Sequence, residues 1–215
     1  MLNNYFLAAL ALTSATFASP IVKRQGSASF TPHDSFQGQG VLGCKIDINR
    51  VTYFPSYDNL NYCVKASSKG RSVHLLQVGW SASELHEMSW DAWNYLNSGK
   101  SAYDYPTYGG GIPGTWEKVP NEECKDLIKT SDGAFPVQYT EVPTYLALKA
   151  AGAPAHLYNF WDPQCNNGID EVCKLPDFAG ANMAECPSGP ASKTAFAGHI
   201  QDLKIPIDFS KLPAE

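Results

Sequence analysis

The six cysteines are the residues whose type and number point most directly to chemistry. They are Cys44, Cys63, Cys124, Cys165, Cys173 and Cys186. An even number of cysteines in a secreted chain predicts disulfide bonds, although the sequence leaves their pairing open. A cysteine nucleophile, the alternative, requires an unpaired thiolate beside a positioned histidine. The even count favours disulfide bonds.

The motifs that would bind a metal or a cofactor are incomplete. The five histidines lack the paired spacing of metal ligands: His33, His74, His86, His156 and His199. A zinc-protease helix needs a second histidine four residues after His86, where this chain has Trp90. Residues 162–168 resemble the start of a calcium loop, but Cys173 stands at the position of its last glutamate. We therefore predict no metal and no cofactor.

Composition limits the classes of partner and fold. The 215 residues include 16 basic and 21 acidic side chains, for a net charge of -5. This balance argues against nucleic acid as a partner, because neutralising phosphates requires clustered Lys and Arg. A hydrophobic content of 44% supports a folded core, and 17 Gly with 15 Pro favour a loop-rich, mainly β protein over a helical bundle.

The N-terminal residues are typical of a secretion signal. The apolar run Tyr5–Leu12 and the small residues before Ala18 predict a signal peptide over 1–18. The pair Lys23-Arg24 resembles a kexin-type processing site of a fungal secretory pathway and ends a predicted propeptide, 19–24. The apolar run is far shorter than the roughly 20 residues of a membrane-spanning helix. We expect a secreted, extracellular or cell-wall protein with no membrane partner.

The remaining chain predicts short strands and short helices. Residues 25–40 are polar and rich in Gly and Ser, which favours a flexible lead-in. Strands are predicted at Val41–Ile48, Arg50–Phe54, Tyr62–Ala66, Ser72–Val78, Thr115–Val119, His156–Trp161 and Lys204–Phe209. Helices are predicted at Ser89–Gly99, after Asn121, at Pro143–Ala151 and, weakly, at 191–203. We interpret Trp90, Trp93 and Trp161 as core residues.

Four segments in order carry a resemblance to a known barrel: Tyr62–Ala66, Gly70–Val78, Ser89–Leu96 and Gly110–Val119. They resemble the core of the double-psi β-barrels, which include barwin, kiwellin, expansins, cerato-platanins and rare lipoprotein A proteins. The chain is also similar to secreted proteins of filamentous ascomycetes. The resemblance implies a six-stranded double-psi β-barrel over 41–124 and a disulfide-pinned C-terminal extension, 125–215, packed on it.

The chain departs from the hydrolytic members of that group at the residues that matter for catalysis. Their general-acid aspartate follows the central strand, where this chain has Gly79. The acidic residue expected after Tyr53 is also missing. Protonating a glycosidic oxygen requires a carboxylic acid, so we expect no catalysis through the residues of that group. A glycan-cleaving enzyme that uses Asp58, Glu84 or Asp91 stays an alternative.

Binding is the function that the resemblance favours. Related barrels hold extended glycans in an open groove, and aromatic rings stack on the apolar faces of sugars. We expect five aromatic residues to flank such a groove: Trp80, Tyr103, Tyr105, Tyr108 and Trp116. The predicted partner is a fungal or plant cell-wall polysaccharide, or a host protein met by an effector at the fungus–host interface. A protein-binding module such as a protease inhibitor is the second alternative.

Overall fold

The computed structural model describes residues 24–56, 58, 60–81, 84–178 and 180–200. Its strands are β1 (Gln25–His33), β2 (Val51–Tyr53), β3 (Cys63–Ser68), β4 (Arg71–Gly79), β5 (His86–Ser89), β6 (Ile112–Lys118), β7 (Phe135–Gln138), β8 (Ala155–Phe160) and β9 (Gly168–Cys173). Its helices are α1 (Trp90–Ser98), α2 (Val142–Ala150) and 3-10 turns at Gly43–Lys45, Ile48–Arg50 and Asn121–Leu127. The predicted signal peptide, Lys23 and the predicted strand Lys204–Phe209 lie outside the described residues.

Strands β1 to β6 close into a barrel in the order β1-β5-β2-β4-β3-β6. Strands β1 and β5 run parallel, as do β2 and β4, and the other neighbours are antiparallel. The order has a two-fold pattern, because exchanging β1, β2 and β3 for β4, β5 and β6 reproduces every pairing. The prediction of a mainly β protein with a six-stranded barrel is confirmed.

Residues 25–40, expected to form a flexible lead-in, contain the first strand of the barrel. Strand β1 pairs with β5 on one side and with β6 on the other, so the barrel starts at residue 25 rather than 41. The alternation of apolar inward and polar outward residues along β1 is hard to detect, because the inward residues Gly26 and Ala28 are small. Only Phe30 is large, and it is fully buried.

Other differences from the expected elements are local. The predicted strand Val41–Ile48 is a 3-10 turn flanked by isolated bridges from Val41 to Val137 and from Ile46 to Ile128. The sequence predicts no strand at β5, β7 or β9, which have only four to six residues each. The weak helix predicted over 191–203 does not form in its described part, which consists of turns and an isolated bridge from Ala195 to Asn167.

Aromatic and aliphatic side chains fill the barrel, and α1 covers one of its ends. The helix contributes Trp90 and Trp93, which are 4% and 1% exposed and confirm their assignment to the core. The indole N–H of Trp93 donates to the carbonyl of Phe30 (3.0 Å), which fixes α1 to β1. Trp161 is 51% exposed, so its assignment to the core is wrong; it follows β8 directly and lies beyond the packed strand.

The C-terminal part forms a second sheet that shares a core with the barrel. Strand β7 is parallel to β8, with α2 as the crossover between them, and β9 is antiparallel to β8. The barrel residues Val51, Leu76 and Val78 pack in one cluster with Phe135 and Leu157 of this sheet. The extension therefore covers the outer face of β2 and β4.

Three disulfide bonds form among the described residues: Cys44–Cys165, Cys63–Cys124 and Cys173–Cys186. The predicted use of all six cysteines in disulfide bonds is confirmed. The first bond joins the segment after β1 to the extension. Disulfide bonds persist in oxidising compartments, which fits an extracellular protein. None of the described helices has the length and apolar character needed to cross a membrane.

The contact between β1 and β6 yields a test of barrel packing. A Cβ at Gly114 would lie 2.4 Å from both the Phe30 ring and the Ser67 carbonyl oxygen, whereas a Cβ at Gly110 meets no atom within 4 Å. We expect Gly114→Ala to lower the free energy of unfolding by about 2 kcal/mol, as overpacked core substitutions do. Gly110→Ala is the matched control, with a change below about 0.5 kcal/mol. Equal stability of both variants in guanidinium denaturation would contradict this packing.

Candidate functional site

The register of the strands gives the barrel two different ends. At the helix end, β1 and β5 finish, β2, β4 and β6 begin, and α1 covers the opening. At the loop end, β2, β4 and β6 finish, and the connections 54–62 and 80–85 lead into β3 and β5. A residue at the helix end is therefore separated from a residue at the loop end by about the length of the barrel.

The three tyrosines predicted to bind sugars lie at the helix end, in the connection between α1 and β6: Tyr103, Tyr105 and Tyr108. Tyr103 is 58% exposed, and its hydroxyl donates to Asn49 Oδ1 (3.2 Å). The ammonium of Lys100 lies 4.7 Å from the ring centre of Tyr105, so a cation occupies one face of that ring. Tyr108 is partly buried against the barrel core.

The two tryptophans of the predicted set lie toward the other end. Trp80 follows β4 at the loop end and is 50% exposed. Trp116 of β6 has its ring 5.5 Å from that of Phe54 and 5.8 Å from that of His86. Burial lowers the pKa of His86, although Glu84 opposes this shift. The five predicted aromatic residues are therefore divided between two ends of the barrel and do not form one platform.

A shallow groove crosses the outer face of β1, β6 and β3 and reaches the turn between β3 and β4. We call it the outer groove. It consists of two adjoining cavities of about 400 Å³ and 450 Å³ that share Lys65, Ser67 and Thr115. Of the residues predicted to bind sugars, only Trp116 lines it. Because the extension packs on β2 and β4, the groove residues Ser27 and Thr115 stay exposed.

A row of four hydroxyl side chains runs along the outer groove, one from each of four neighbouring strands. Ser27 is in register with Thr115, Thr115 with Ser67, and Ser67 with Ser72. Adjacent strands lie about 4.8 Å apart, so the row is about 14 Å long. Each hydroxyl both donates and accepts hydrogen bonds. The sequence alone did not predict this row; the alternating Ser27, Ser29 and Thr31 of β1 are its local signal.

Asp91, one of the alternative catalytic carboxylates, holds the helix end together. It is 4% exposed and accepts hydrogen bonds from Arg50 Nη1 (2.5 Å), Ser101 Oγ (2.7 Å) and the backbone N–H of Ala102 (2.7 Å). Burial acts to raise the pKa of Asp91, but these hydrogen bonds outweigh it and lower the pKa below its ordinary value. A general acid needs the opposite shift.

Asp58 and Glu84 lie far from Asp91, at the loop end. Burial acts to raise the pKa of Asp58, but the side-chain amide of Asn61 (2.9 Å) and the backbone N–H of Leu60 (3.1 Å) lower it overall. Because Asp58 and Asp91 occupy opposite ends, they do not form the pair of carboxylates that glycoside hydrolysis requires.

Gly79, at the position where the resemblance predicts a general-acid aspartate in hydrolytic barrels, has close neighbours. A Cβ on Gly79 would lie 3.2 Å from Tyr53 Cδ1 and 3.3 Å from Gln39 Cγ. The backbone N–H of Gln39 donates to the carbonyl of Val78 (2.8 Å), which holds Gln39 beside this position. The space next to Gly79 is therefore occupied by Gln39 and Tyr53.

Comparison with protein-family models, curated proteins and solved structures finds no match to this chain. The resemblance to the double-psi β-barrels therefore stays a prediction from four sequence segments. Among the described residues, no group of three His, Cys, Asp or Glu side chains is arranged to hold a metal ion.

A buried lysine fastens the loop end of the barrel. Lys118 is 4% exposed, and its ammonium donates to Gln77 Oε1 and to the carbonyl of Asn61. Gln77 in turn donates to the carbonyl of Ser56 (2.9 Å), so the network joins β4 and β6 to the connection 54–62. Burial lowers the pKa of Lys118 to about 8; Arg24 acts in the same direction, and Asp58 opposes both.

This lowered pKa predicts how stability depends on pH. The pKa of Lys118 is about 8 in the folded chain and 10.5 ordinarily. The unfolded chain therefore binds more protons between these values, and stability rises as the pH increases through this window. Between about pH 7.5 and 9.5 we expect the free energy of unfolding to rise by about 2 kcal/mol more in the wild type than in Lys118→Met.

Guanidinium denaturation at each pH measures this difference. The exposed Lys125→Met is the matched control, because it removes the same charge from the surface, and we expect it to follow the wild type. Parallel pH profiles for the wild type and Lys118→Met would contradict the assigned burial of the ammonium.

Proposed function

We propose that this protein is a secreted, non-catalytic barrel protein that binds an extended cell-wall polysaccharide in its outer groove. The observation that carries the proposal is the outward-facing row of Ser27, Thr115, Ser67 and Ser72 in register across four strands. All four are exposed except Ser67, which is half-buried. A polysaccharide presents a repeating line of hydroxyl groups, and a regular line of protein hydroxyls offers it matching donors and acceptors.

The rigidity of the barrel supports this proposal. The hydroxyl row is built on paired strands rather than on loops, and Cys63–Cys124 ties β3 to the segment after β6. A pre-organised surface loses less conformational entropy when it binds. Trp116 lines the same groove beside Gly26, and its ring packs inward against Phe54, which holds β6 in place behind the hydroxyls.

We also propose that the barrel is a double-psi β-barrel. Its two-fold pattern of parallel pairs, β1 with β5 and β4 with β2, fits a fold made from two similar halves of three strands. The four resembling segments fall within or beside β3, β4, α1 and β6. Secreted members of this group hold extended glycans, and the effector role at a fungus–host interface rests on the same resemblance.

The absence of catalysis belongs to the proposal as well. Gly79 replaces the expected general acid, and Gln39 and Tyr53 occupy the neighbouring space. Asp91 bonds within the fold at the helix end, and Asp58 does so at the loop end. Of the three carboxylates considered as alternative catalytic residues, only that of Glu84 is exposed. Glycoside hydrolysis by an inverting or a retaining route needs two carboxyl groups.

Processing after Arg24 fits the proposed secretion. Strand β1 starts at the next residue, Gln25, so that removal of 1–24 leaves the strand complete. Within the described part of the chain, the backbone N–H of Lys118 donates to the carbonyl of Arg24 (2.8 Å), and this bond is lost on cleavage. The mature chain would keep both its barrel and its groove.

Exposed apolar residues of the extension favour a second candidate function, the binding of a protein. Phe178 and Met183 are 65% and 72% exposed, and Trp161 is 51% exposed. Large exposed apolar side chains are frequent at protein–protein interfaces. This candidate predicts association with a host protein or a protease, and no retention on polysaccharides.

Co-sedimentation of residues 25–215 with insoluble polymers tests the proposed function. The panel contains chitin, cellulose, β-1,3-glucan and calcium-gelled polygalacturonate. We expect retention on at least one polymer, weakened about thirtyfold in Ser67→Ala/Thr115→Val, since the two lost hydrogen bonds contribute about 1 kcal/mol each. The matched control is Thr144→Val/Ser192→Ala, which removes the same groups outside the groove.

Two outcomes would overturn the proposal. The first is retention that is lost in Trp80→Ala/Tyr105→Ala but unchanged in Ser67→Ala/Thr115→Val. This result would show that the polymer binds the aromatic residues outside the groove. Absence of retention on every polymer would exclude polysaccharide binding and favour a protein partner.

A further inference from the structure

Positive charge dominates the half of the outer groove beside the β3–β4 turn. Lys65, Lys69 and Arg71 line this half together with Ser67, Ser72 and Thr115, and its lining includes no acidic residue. The whole chain carries a net charge of -5, so a cationic groove runs against its overall charge. We call this half the basic half of the groove.

The hydrogen bonds of these cations leave their charge available. Lys69 Nζ donates to Asn97 Oδ1 (2.6 Å), and Arg71 Nη1 donates to the carbonyl of Leu96 (3.2 Å). Both acceptors are neutral, and an ammonium or guanidinium group has further N–H donors. Lys65 lies 3.8 Å from a carboxylate oxygen of Glu117, and both side chains are more than a third exposed, so this ion pair is weak.

The backbone conformation at position 69 indicates that a lysine there does not stabilise the fold. Lys69 and Gly70 have φ values of 49° and 75°, which is the mirror-image turn that joins twisted strands. Asn is the residue usually preferred at the first of these positions, whereas most side chains, Lys included, disfavour the left-handed conformation. A lysine at this position carries a backbone cost and places a cation at the rim of the groove.

We propose that the outer groove binds a polysaccharide that carries carboxylates, a polymer of uronic acid. Lys65, Lys69 and Arg71 would pair with the carboxylates, and the hydroxyl row would bind the hydroxyls of the sugars. Charge complementarity to the basic half, which is lined by three cations and no anion, carries this assignment. Glu117 lines the other half of the groove, beside Lys65. The inference rests on the proposed function and specifies its class of ligand.

A nucleic acid, the other common polyanion, fits the basic half of the groove less well. Proteins that bind single strands combine cations with aromatic side chains on which bases stack. The lining of this half has no aromatic residue and instead has four hydroxyl side chains, which suit a sugar polymer. The acidic balance of the chain also opposes binding to a densely charged nucleic acid.

Binding of an end-labelled oligogalacturonate to residues 25–215, followed by fluorescence anisotropy, tests the inference. Its fully methyl-esterified form is the matched neutral ligand, since it keeps the sugar backbone and lacks the charges. We expect the wild type to bind the acid form about tenfold more tightly than the ester, and added salt to reduce this difference.

The variant Lys65→Gln/Lys69→Asn tests the cations themselves. We expect it to bind the acid form about tenfold more weakly than the wild type does, because two charge contacts are lost. Asn suits the left-handed conformation at position 69, so the unfolding midpoint should stay unchanged or rise. The control Lys129→Gln/Lys149→Gln alters the same number of exposed charges outside the groove and should bind within about twofold of the wild type.

The remaining outcomes separate this inference from the proposed function. Equal affinity for the acid and the ester, with retention on neutral polymers, would overturn the inference and leave the groove a binder of neutral glycans. A thymidine oligonucleotide bound as tightly as the oligogalacturonate would overturn the assignment to a sugar polymer. No binding of either oligosaccharide, together with no retention on any insoluble polymer, would overturn both.

Discussion

The close approach of β1 to β6 is the constraint on which the rest of the molecule depends. Phe30 fits inside the barrel because Gly114, on the neighbouring strand, has no side chain to meet its ring. This contact seats β1 between β5 and β6 and closes the barrel. Closure in turn puts Ser27 in register with Thr115, so the outer groove exists only when the inside of the barrel is correctly packed.

Two regions of the outer face of the barrel differ in what they contact. On the outer face of β2 and β4, apolar residues such as Leu76 and Val78 bind the C-terminal extension and remove that surface from water. On the outer face of β1, β6 and β3, hydroxyl and charged residues stay exposed. The extension therefore stabilises the barrel without covering the outer groove. Lys118 fastens the loop end from within, at the cost of a buried ammonium.

Elements with strong local patterns could be predicted from the sequence. The apolar run of β4 and the spacing of Trp90, Trp93 and Gly99 around α1 identify their structures without tertiary information. Strand β1 could not be identified in this way, because its inward residues Gly26 and Ala28 lack the size that marks a buried face.

The site was harder to predict than the fold, because register across strands is a non-local property. Aromatic residue type suggested Tyr103 and Tyr105 as partners of Trp80, and the register instead separates them by the length of the barrel. The residues of the hydroxyl row, in contrast, lie together in the structure although nothing in the sequence marks them as a group. Ser27, Ser67 and Thr115 are unremarkable in sequence and become a candidate site only through pairing among four strands.

If the outer groove binds glycans, the amide signals of the residues that line it should shift when a glycan is added. Isotope-labelled residues 25–215 would be titrated with a soluble oligogalacturonate and followed by two-dimensional NMR. We expect the largest shift changes at Ser27, Ser67, Ser72 and Thr115, the residues of the hydroxyl row. Changes concentrated instead at Trp80 or in the connection that carries Tyr103 and Tyr105 would contradict this expectation.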